Sequence, residues 1–476
     1  MSNENPVELV VIGGGPGGYA AAFLGADLGM KVSLVDLEAN PGGVCLYRGC
    51  IPSKALLHAA KVLTESRDAS EFGVTYAEPT IDVDKLRSWK ESVVAKMTGG
   101  LGQLSKARNI NYIRGRAKFA DSQSLTIEKE GGETQTLKFD KAILATGSRP
   151  AEIPAFNIGS DRIWNSTAAL ELRTIPKKLL VVGGGYIGLE LGTAYNALGS
   201  EVTVVEMTDG LLPGADRDLV DILAKRVKAM FHNVMLETKV VKIEDIGTGI
   251  QVTFEGDNAA EKVQVFDNVL VSVGRAPNTK DLGLENTKVV VNARGFVEVN
   301  SQLQTADSNI YAIGDIAGDP MLAHKASHEG RIAVEVIAGH NVAFEPRAIP
   351  AVVFTDPEIA WAGITENEAK KQGIEVEVSR FPWAASGRAT TLGRNDGVTK
   401  LLTDPTTHRV MGVGIAGQGA GELIAEGVLA IEMAAVADDV KLSIHPHPTL
   451  SETMMETAES LFGQATHIYR PKSKKK

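Results

Sequence analysis

Cys45 and Cys50 are the only two cysteines among 476 residues, and they stand in the run Gly43-Val44-Cys45-Leu46-Tyr47-Arg48-Gly49-Cys50-Ile51-Pro52-Ser53-Lys54. Two thiols this close suit thiol–disulfide exchange, provided that one of them ionises near neutral pH. In a regular helix, residues five apart are separated by about 7.5 Å along the axis, beyond the roughly 6.8 Å that a disulfide tolerates between Cα atoms. The segment is therefore expected to be distorted or only partly helical, which Gly49 and Pro52 permit. The run from Ser53 reads as helix and puts Cys50 near its positive end, where a thiolate is stabilised. Taken alone, the pair also admits a structural disulfide or two ordinary buried thiols. Zinc is a weaker reading, because two sulfurs lack further ligands at zinc spacing and only His58 lies near.

The elements around the cysteines narrow the choice. Val10-Val11-Ile12 leads into Gly13-Gly14-Gly15-Pro16-Gly17-Gly18, then a small-residue helix, then a β-run ending at Asp36. Leu179-Leu180-Val181-Val182 leads into Gly183-Gly184-Gly185-Tyr186-Ile187-Gly188, a helix, and a β-run ending at Glu206. Gly183, Gly185, Gly188 and Glu206 each stand 170 residues after Gly13, Gly15, Gly18 and Asp36. One such glycine pattern is weak, but two at identical internal spacing describe a repeated dinucleotide clamp. The first glycine makes the turn, the second admits the pyrophosphate, the third lets helix approach strand, and the helix N-terminus holds the phosphate charge. Asp36 and Glu206 sit where a carboxylate binds ribose hydroxyls. Two dinucleotides are implied. Glu206 is followed by Met207-Thr208-Asp209-Gly210 with no arginine to take a 2′-phosphate, so the second site favours NAD over NADP.

Composition excludes several classes. With 43% apolar residues the chain is globular, with length for three or four domains. No stretch approaches the ~18 apolar residues of a membrane span. A net charge of −10 argues against nucleic acid as a partner. The first residues resemble no leader, and so few cysteines suit a reducing compartment, so a cytoplasmic location is expected. The Lys472–Lys476 tail reads as a solvated end. Between Asp82 and Asn109, Val83, Leu86, Trp89, Val93, Val94, Met97, Leu101 and Leu104 recur at helical spacing, predicting an amphipathic helix with its apolar stripe in the core.

These motifs resemble the disulfide-reducing pyridine-nucleotide flavoenzymes, over a likeness that runs from about Val7 to beyond Glu452. Ala145-Thr146-Gly147-Ser148-Arg149-Pro150, Val273-Gly274-Arg275-Ala276-Pro277-Asn278 and Ile310-Tyr311-Ala312-Ile313-Gly314-Asp315 belong to the same pattern. Within the family, Met321-Leu322-Ala323-His324-Lys325-Ala326 and His445-Pro446-His447-Pro448-Thr449-Leu450-Ser451-Glu452 are most similar to the dihydrolipoamide dehydrogenase branch. Glutathione reductases would carry arginines where Glu206 and Asp209 stand. Mercuric reductases use extra C-terminal cysteines, and soluble transhydrogenases lack an intact cysteine pair. Tyr47 and Arg48 depart from the Asn-Val that the family commonly has between the cysteines, which is expected to shift the redox potential and the charge around the thiolate.

The resemblance implies an α/β fold: two Rossmann-like dinucleotide-binding domains, for FAD and NAD, and a C-terminal α+β dimerisation domain. Expected boundaries are 1–150 for FAD, 151–278 for NAD, 279–348 for a central segment completing the FAD site, and 349–476 for the interface domain. FAD falls to Gly13, Gly15, Gly18, Asp36, Lys54, Thr146, Gly147, Asp315 and Ala323, and NAD to Gly183, Gly185, Gly188, Glu206 and Gly274. Cys45 is implied as the thiol that meets substrate and Cys50 as the one that faces the flavin. His447 is the implied base, oriented by Glu452 five residues on, and His445 is expected to matter little. Lys54 and Glu190 are expected to pair near the flavin. The implied reaction is NAD-dependent oxidation of dihydrolipoyl groups borne by another protein of a 2-oxoacid dehydrogenase or glycine cleavage complex, in a homodimer that shares its sites between subunits. The competing readings are reduction of a different disulfide by NADH, and a binding or structural protein that keeps the fold without turnover.

Overall fold

The computed structural model describes residues 8–259 and 261–469, so the Lys472–Lys476 tail and the residues before Glu8 lie outside the description. Strand β1 (Glu8–Ile12), helix α1 (Pro16–Asp27) and strand β2 (Lys31–Asp36) form a right-handed βαβ unit around the first glycine run. Its strands are nearly continuous apolar runs because both faces are covered, Leu9, Val11 and Leu34 by helices and Val10, Ile12 and Val35 by the strands Arg116–Asp121 and Ser124–Glu128. The sheet is completed by β3 (Asn111–Arg114) beside β2, and by the strands Lys141–Leu144 and Ile310–Ala312 on the other side of β1. The 279–348 region therefore contributes a strand to the first sheet, and its helix Ala323–Ile337 packs on α1.

A second five-stranded parallel sheet repeats this plan around Lys178–Val182. Glu8 pairs with Lys31 in the first sheet and Lys178 with Glu201 in the second, so the 170-residue offset holds in strand register as well as in sequence. The reason is local. Gly13 and Gly183 adopt φ of +104° and +107°, and a Cβ on Gly13 would lie 2.3 Å from the Ala145 carbonyl oxygen. A Cβ on Gly18 would fall 1.8 Å from the Gly13 oxygen, so only glycine lets α1 start this close to β1.

The C-terminal region is a five-stranded antiparallel sheet from Ala351–Val353 to Val410–Gly417, backed by the helices Ala420–Glu432 and Glu452–Leu461. Its core gathers Trp383, Leu401, Ile415 and Met454, all essentially without exposure.

The cysteine run breaks as its spacing requires. Helix α2 (Gly43–Arg48) stops at Gly49, whose φ of −145° and ψ of −116° are not helical, and α3 (Cys50–Asp68) restarts at Cys50. The helix expected after Asp82 spans Val83–Ala107 (α4), with Asp82 accepting from the Lys85 N–H at 3.0 Å. Its stripe is divided: Val94 is buried and Val83 and Leu86 pack against the core, but much of the rest opens outward. Trp89, Met97 and Leu104 are 41%, 46% and 46% exposed, while Lys90, Val94, Thr98 and Ser105 are buried. Beside Val94, small residues allow close approach: Thr98 packs under Gly42, Gly102 under Asn40, and the Lys90 ammonium reaches the Leu170 carbonyl at 2.5 Å.

Candidate active site

A cavity of about 670 Å³ runs along the carboxyl ends of the first sheet, where open α/β sheets bind ligands. Gly13, Gly15 and Asp36 line it, as do Thr146, Gly147, Asp315 and Ala323. Cys45, Cys50, Lys54 and Glu190 open into the same space. Gly18 does not, because it sits in the helix–strand contact behind the loop. Gly183, Gly185, Gly188, Glu206 and Gly274 belong to the second unit and lie off this cavity, although Tyr186 and Ile187, on the helix that follows the second glycine loop, form part of its wall.

Both acidic strand ends are fixed by backbone donors. The Asp36 carboxylate accepts from the N–H groups of Gly14 and of Glu38, the latter at 2.8 Å. Burial pushes its carboxyl up, and those two donors work against the shift. Glu206 accepts from Gly184 N at 2.7 Å and Thr208 N at 2.8 Å.

The two free thiols act on each other, and their titrations are pulled apart. The hydrogen bond to Cys50 and then burial push Cys45 up. Cys50 is lowered to about 7, first by the hydrogen bond from Cys45, against burial, and then by the Lys54 ammonium. Its place at the first residue of the 19-residue helix α3 adds the positive end of the helix dipole.

Lys54, one turn into α3, reaches Glu190 Oε2 at 2.7 Å. Glu190 is 5% exposed on the helix Tyr186–Ala197 of the second unit, and its carboxylate also accepts from Ser53 Oγ at 3.0 Å and from Phe354 N at 3.0 Å. The Lys54 ammonium lies 4.4 Å over the Phe354 ring, within cation–π range. Ser53 and Phe354 were not anticipated from sequence. Ser53 stands beside Lys54 in the cysteine run, whereas nothing local marks Phe354. A second unanticipated group is Glu329, 3% exposed, which accepts from Gly314 N at 2.6 Å and pairs with Lys325 at 2.7 Å. Burial raises its carboxyl and Lys325 opposes the rise. Asp315 itself accepts from Ser148 Oγ, which in turn accepts from Arg275 Nε at 2.7 Å.

Tyr47 and Arg48 find their partners in the loop that leaves β2. The Tyr47 hydroxyl donates to Asn40 O at 3.0 Å, and Arg48 pairs with Glu38. The charged side chains that act most strongly on Cys50 are Lys54, which lowers it, and Glu190, which raises it. Arg48 thus has a carboxylate partner of its own while lining the same cavity as the two thiols.

His447 and Glu452 meet at the other end of the chain, Nδ1 to Oε1 at 2.9 Å. Partial burial raises the Glu452 carboxyl, but the Thr449 N–H and the His447 ring bring it below the usual carboxylate range. The His447 side chain is 70% exposed and is not part of the wall of the cavity that holds the cysteines. His445 differs, with a side chain 7% exposed, Nδ1 at 2.8 Å from Ser443 O and Nε2 at 2.8 Å from Glu426 Oε1.

Comparison with known proteins places this geometry. Residues 7–330 match the family model of pyridine nucleotide-disulphide oxidoreductases, and residues 349–458 match the dimerisation domain of the same family. The chain is 50% identical over 476 residues to a dihydrolipoyl dehydrogenase of Haemophilus influenzae, covering 100% of this chain and 99% of that protein. It is 45% identical over 469 residues to a dihydrolipoyl dehydrogenase of Bacillus subtilis, covering 98% and 99%. Among solved structures, LpdA from Mycobacterium tuberculosis superposes with a TM-score of 0.89 at 26% identity, covering 96% of this chain and 99% of that one. The HOCl-induced flavoprotein disulfide reductase RclA from Escherichia coli gives 0.84 at 27% identity, covering 95% and 99%. With two adjoining family models spanning nearly its whole length, this chain belongs to the pyridine nucleotide-disulphide oxidoreductases.

Proposed function

We propose that this protein is a dihydrolipoyl dehydrogenase: it oxidises dihydrolipoyl groups to lipoyl with NAD as acceptor, through the Cys45–Cys50 pair and FAD. The observation that carries the reading is the cavity itself, where the cysteine pair, the Lys54–Glu190 pair and the helix behind the second glycine loop converge. The residues present fit the two dinucleotides. A Cβ on Gly15 would meet only Gly43 Cα, at 3.9 Å, and one on Gly185 would meet nothing within 4 Å, so each loop leaves room where a pyrophosphate must approach. FAD falls to Gly13, Gly15, Gly18, Asp36, Lys54, Thr146, Gly147, Asp315 and Ala323. NAD falls to Gly183, Gly185, Gly188, Glu206 and Gly274. The proposed divisions are 1–150, 151–278, 279–348 and 349–476.

The chain's own groups set the thiol chemistry. Glu452 holds His447 Nδ1, leaving Nε2 to take a proton from a dihydrolipoyl thiol. The resulting thiolate attacks Cys45 Sγ of the Cys45–Cys50 disulfide, and that bond breaks to release Cys50 as thiolate. The second substrate sulfur then attacks the substrate sulfur of the mixed disulfide, which closes the lipoyl ring and displaces Cys45, and the proton of that second thiol passes to Cys45. The substrate dithiol is thereby oxidised and the protein disulfide reduced. Lys54 and the start of α3 stabilise the Cys50 thiolate, and Glu190 fixes Lys54. FAD, when bound, supplies the carrier that links this thiol exchange to hydride transfer onto NAD.

The protein is a homodimer through the domain at 349–458. In this reading the base comes from the second subunit. Support comes from the exposure of His447 and of Leu442 and Ile444 just before it, 74% and 98% exposed apolar residues suited to cover by another copy. The substrate groups are those of a lipoyl-bearing component of a 2-oxoacid dehydrogenase or glycine cleavage complex, in the cytoplasm. No helix among the described residues is long and apolar enough to cross a membrane. Assay of the purified protein with dihydrolipoamide and NAD tests the reading: NADH should form in proportion to lipoamide. Turnover of another disulfide with NADH, and none with dihydrolipoamide, would overturn it.

A further inference from the structure

Tyr47 and Arg48 occupy the two positions between the cysteines that depart from the family's common residues, and both reach the loop that leaves β2. Tyr47 Oη donates to Asn40 O at 3.0 Å and accepts from Asn40 N at 3.3 Å. Arg48 pairs with Glu38 at 41% and 28% side-chain exposure. The loop is held at other points too: Tyr112 Oη donates to Glu38 O at 2.9 Å, and Gly42 N to Gly14 O at 2.7 Å.

Asp36, Glu38, Arg48 and Arg116 all line the cavity, at the strand end where a carboxylate meets an adenosine ribose. This wall therefore carries two carboxylates, Asp36 and Glu38, beside the path of a ligand whose diphosphate is anionic. Arg48 neutralises one of them. An unpaired Glu38 would add a second negative charge to the wall that an anionic dinucleotide must enter.

We propose that Tyr47 and Arg48 form a clasp that holds the Asp36–Gly42 loop over the adenosine half of the cavity and slows the loss of FAD, leaving the ionisation of the dithiol to other groups. The clasp rests on the assignment of FAD to the first glycine loop. Arg48 supplies its charge and Tyr47 its backbone anchor. The residues between the cysteines thus act on the cofactor's distal end rather than on the sulfurs that flank them.

The test follows FAD release by the rise of free-flavin fluorescence after dilution of the loaded protein. Arg48→Val should release FAD about 5- to 10-fold faster, the scale of one lost ion pair with a carboxylate left behind. The added change Glu38→Gln should restore near-native release, since it removes the charge that Arg48 neutralised, and circular dichroism of each apoprotein reports that the variants fold. The alkylation midpoint of Cys50 in the reduced apoprotein should stay near its native position in Arg48→Val. Native release rates in Arg48→Val overturn the clasp, as does a midpoint moved by a pH unit or more. A native protein that takes up no FAD would instead remove the assignment of the first site, and the clasp with it.

Discussion

Lys54 Nζ lies 2.7 Å from Glu190 Oε2, although the two residues are 136 positions apart and sit on helices of different nucleotide-binding units. This contact sets the charge next to Cys50. The ammonium pulls the Cys50 thiol down and the carboxylate pushes it up, so the pair's net field depends on both partners.

Lys54→Met should raise the Cys50 midpoint from about 7 toward the ordinary thiol range. A thiolate is the deprotonated form, so a higher midpoint means less of it at neutral pH and slower alkylation there. Glu190→Gln should shift the midpoint the opposite way, because it removes the group that disfavours the anion. Iodoacetamide alkylation of the reduced apoprotein as a function of pH measures both. Equal midpoints in Lys54→Met and the native protein would show that Cys45 and the start of α3, and not Lys54, lower Cys50.

The second unit should discriminate against a 2′-phosphate. Glu206 is pinned by Gly184 N and Thr208 N, so its carboxylate cannot swing away to admit a second anion. We expect kcat/KM with NAD to exceed that with NADP by about 10²-fold or more. Glu206→Arg should narrow the gap without reversing it, since Asp209 remains. Steady-state rates with the two nucleotides decide the matter, and comparable efficiencies would rule the Glu206 argument out.

The two nucleotide units were legible because their signals are local: a glycine that must turn, a glycine that must let a helix approach, and an acid at the next strand end recur at one offset. The break between the cysteines was legible for the same reason, as a length that a regular helix cannot satisfy. What escaped is set by contacts far apart in sequence. Phe354 donates to Glu190 across 164 positions, and no neighbour of Phe354 announces it. The stripe of α4 was legible only in part, with Val83, Leu86 and Val94 packed and Trp89, Met97 and Leu104 exposed, because periodicity does not show how far round the helix the packing extends. Small residues at Thr98, Gly102 and Ser105 favoured close packing beside Val94.

His445 is a case where structure changes the expectation. Both of its ring nitrogens lie within hydrogen-bond distance of oxygens, the Ser443 carbonyl and the Glu426 carboxylate, so the ring ties the helix Ala420–Glu432 to the segment that carries His447. His445→Ala should therefore cost about 1–2 kcal/mol of stability, the scale of lost charge-assisted hydrogen bonds. It should also lower dihydrolipoamide turnover, while leaving the pH limb set by His447 in place. Thermal unfolding and a pH–rate profile separate this anchoring role from a role in proton transfer, which would instead flatten the profile.

The final prediction concerns where the base comes from. His447 is open to solvent and stands outside the wall of the cavity that its own chain's cysteines share. If it serves the partner's Cys45–Cys50 pair as proton acceptor, His447→Gln should cut dihydrolipoamide oxidation by about 10²-fold or more, the usual scale for loss of a general base. NADH oxidation by an artificial acceptor does not need that proton transfer and should largely survive. Glu452→Gln should cause a smaller loss, because it loosens the ring's orientation and weakens support for the imidazolium without removing the base. Cys45→Ser and His447→Gln homodimers should each be nearly inactive, yet mixing them under conditions of subunit exchange should recover activity, since one site of each heterodimer holds both intact groups. Exchange shown by mass or tag, with no recovery of turnover, would mean that Cys45 and His447 of the same chain act together and that the shared-site reading is wrong.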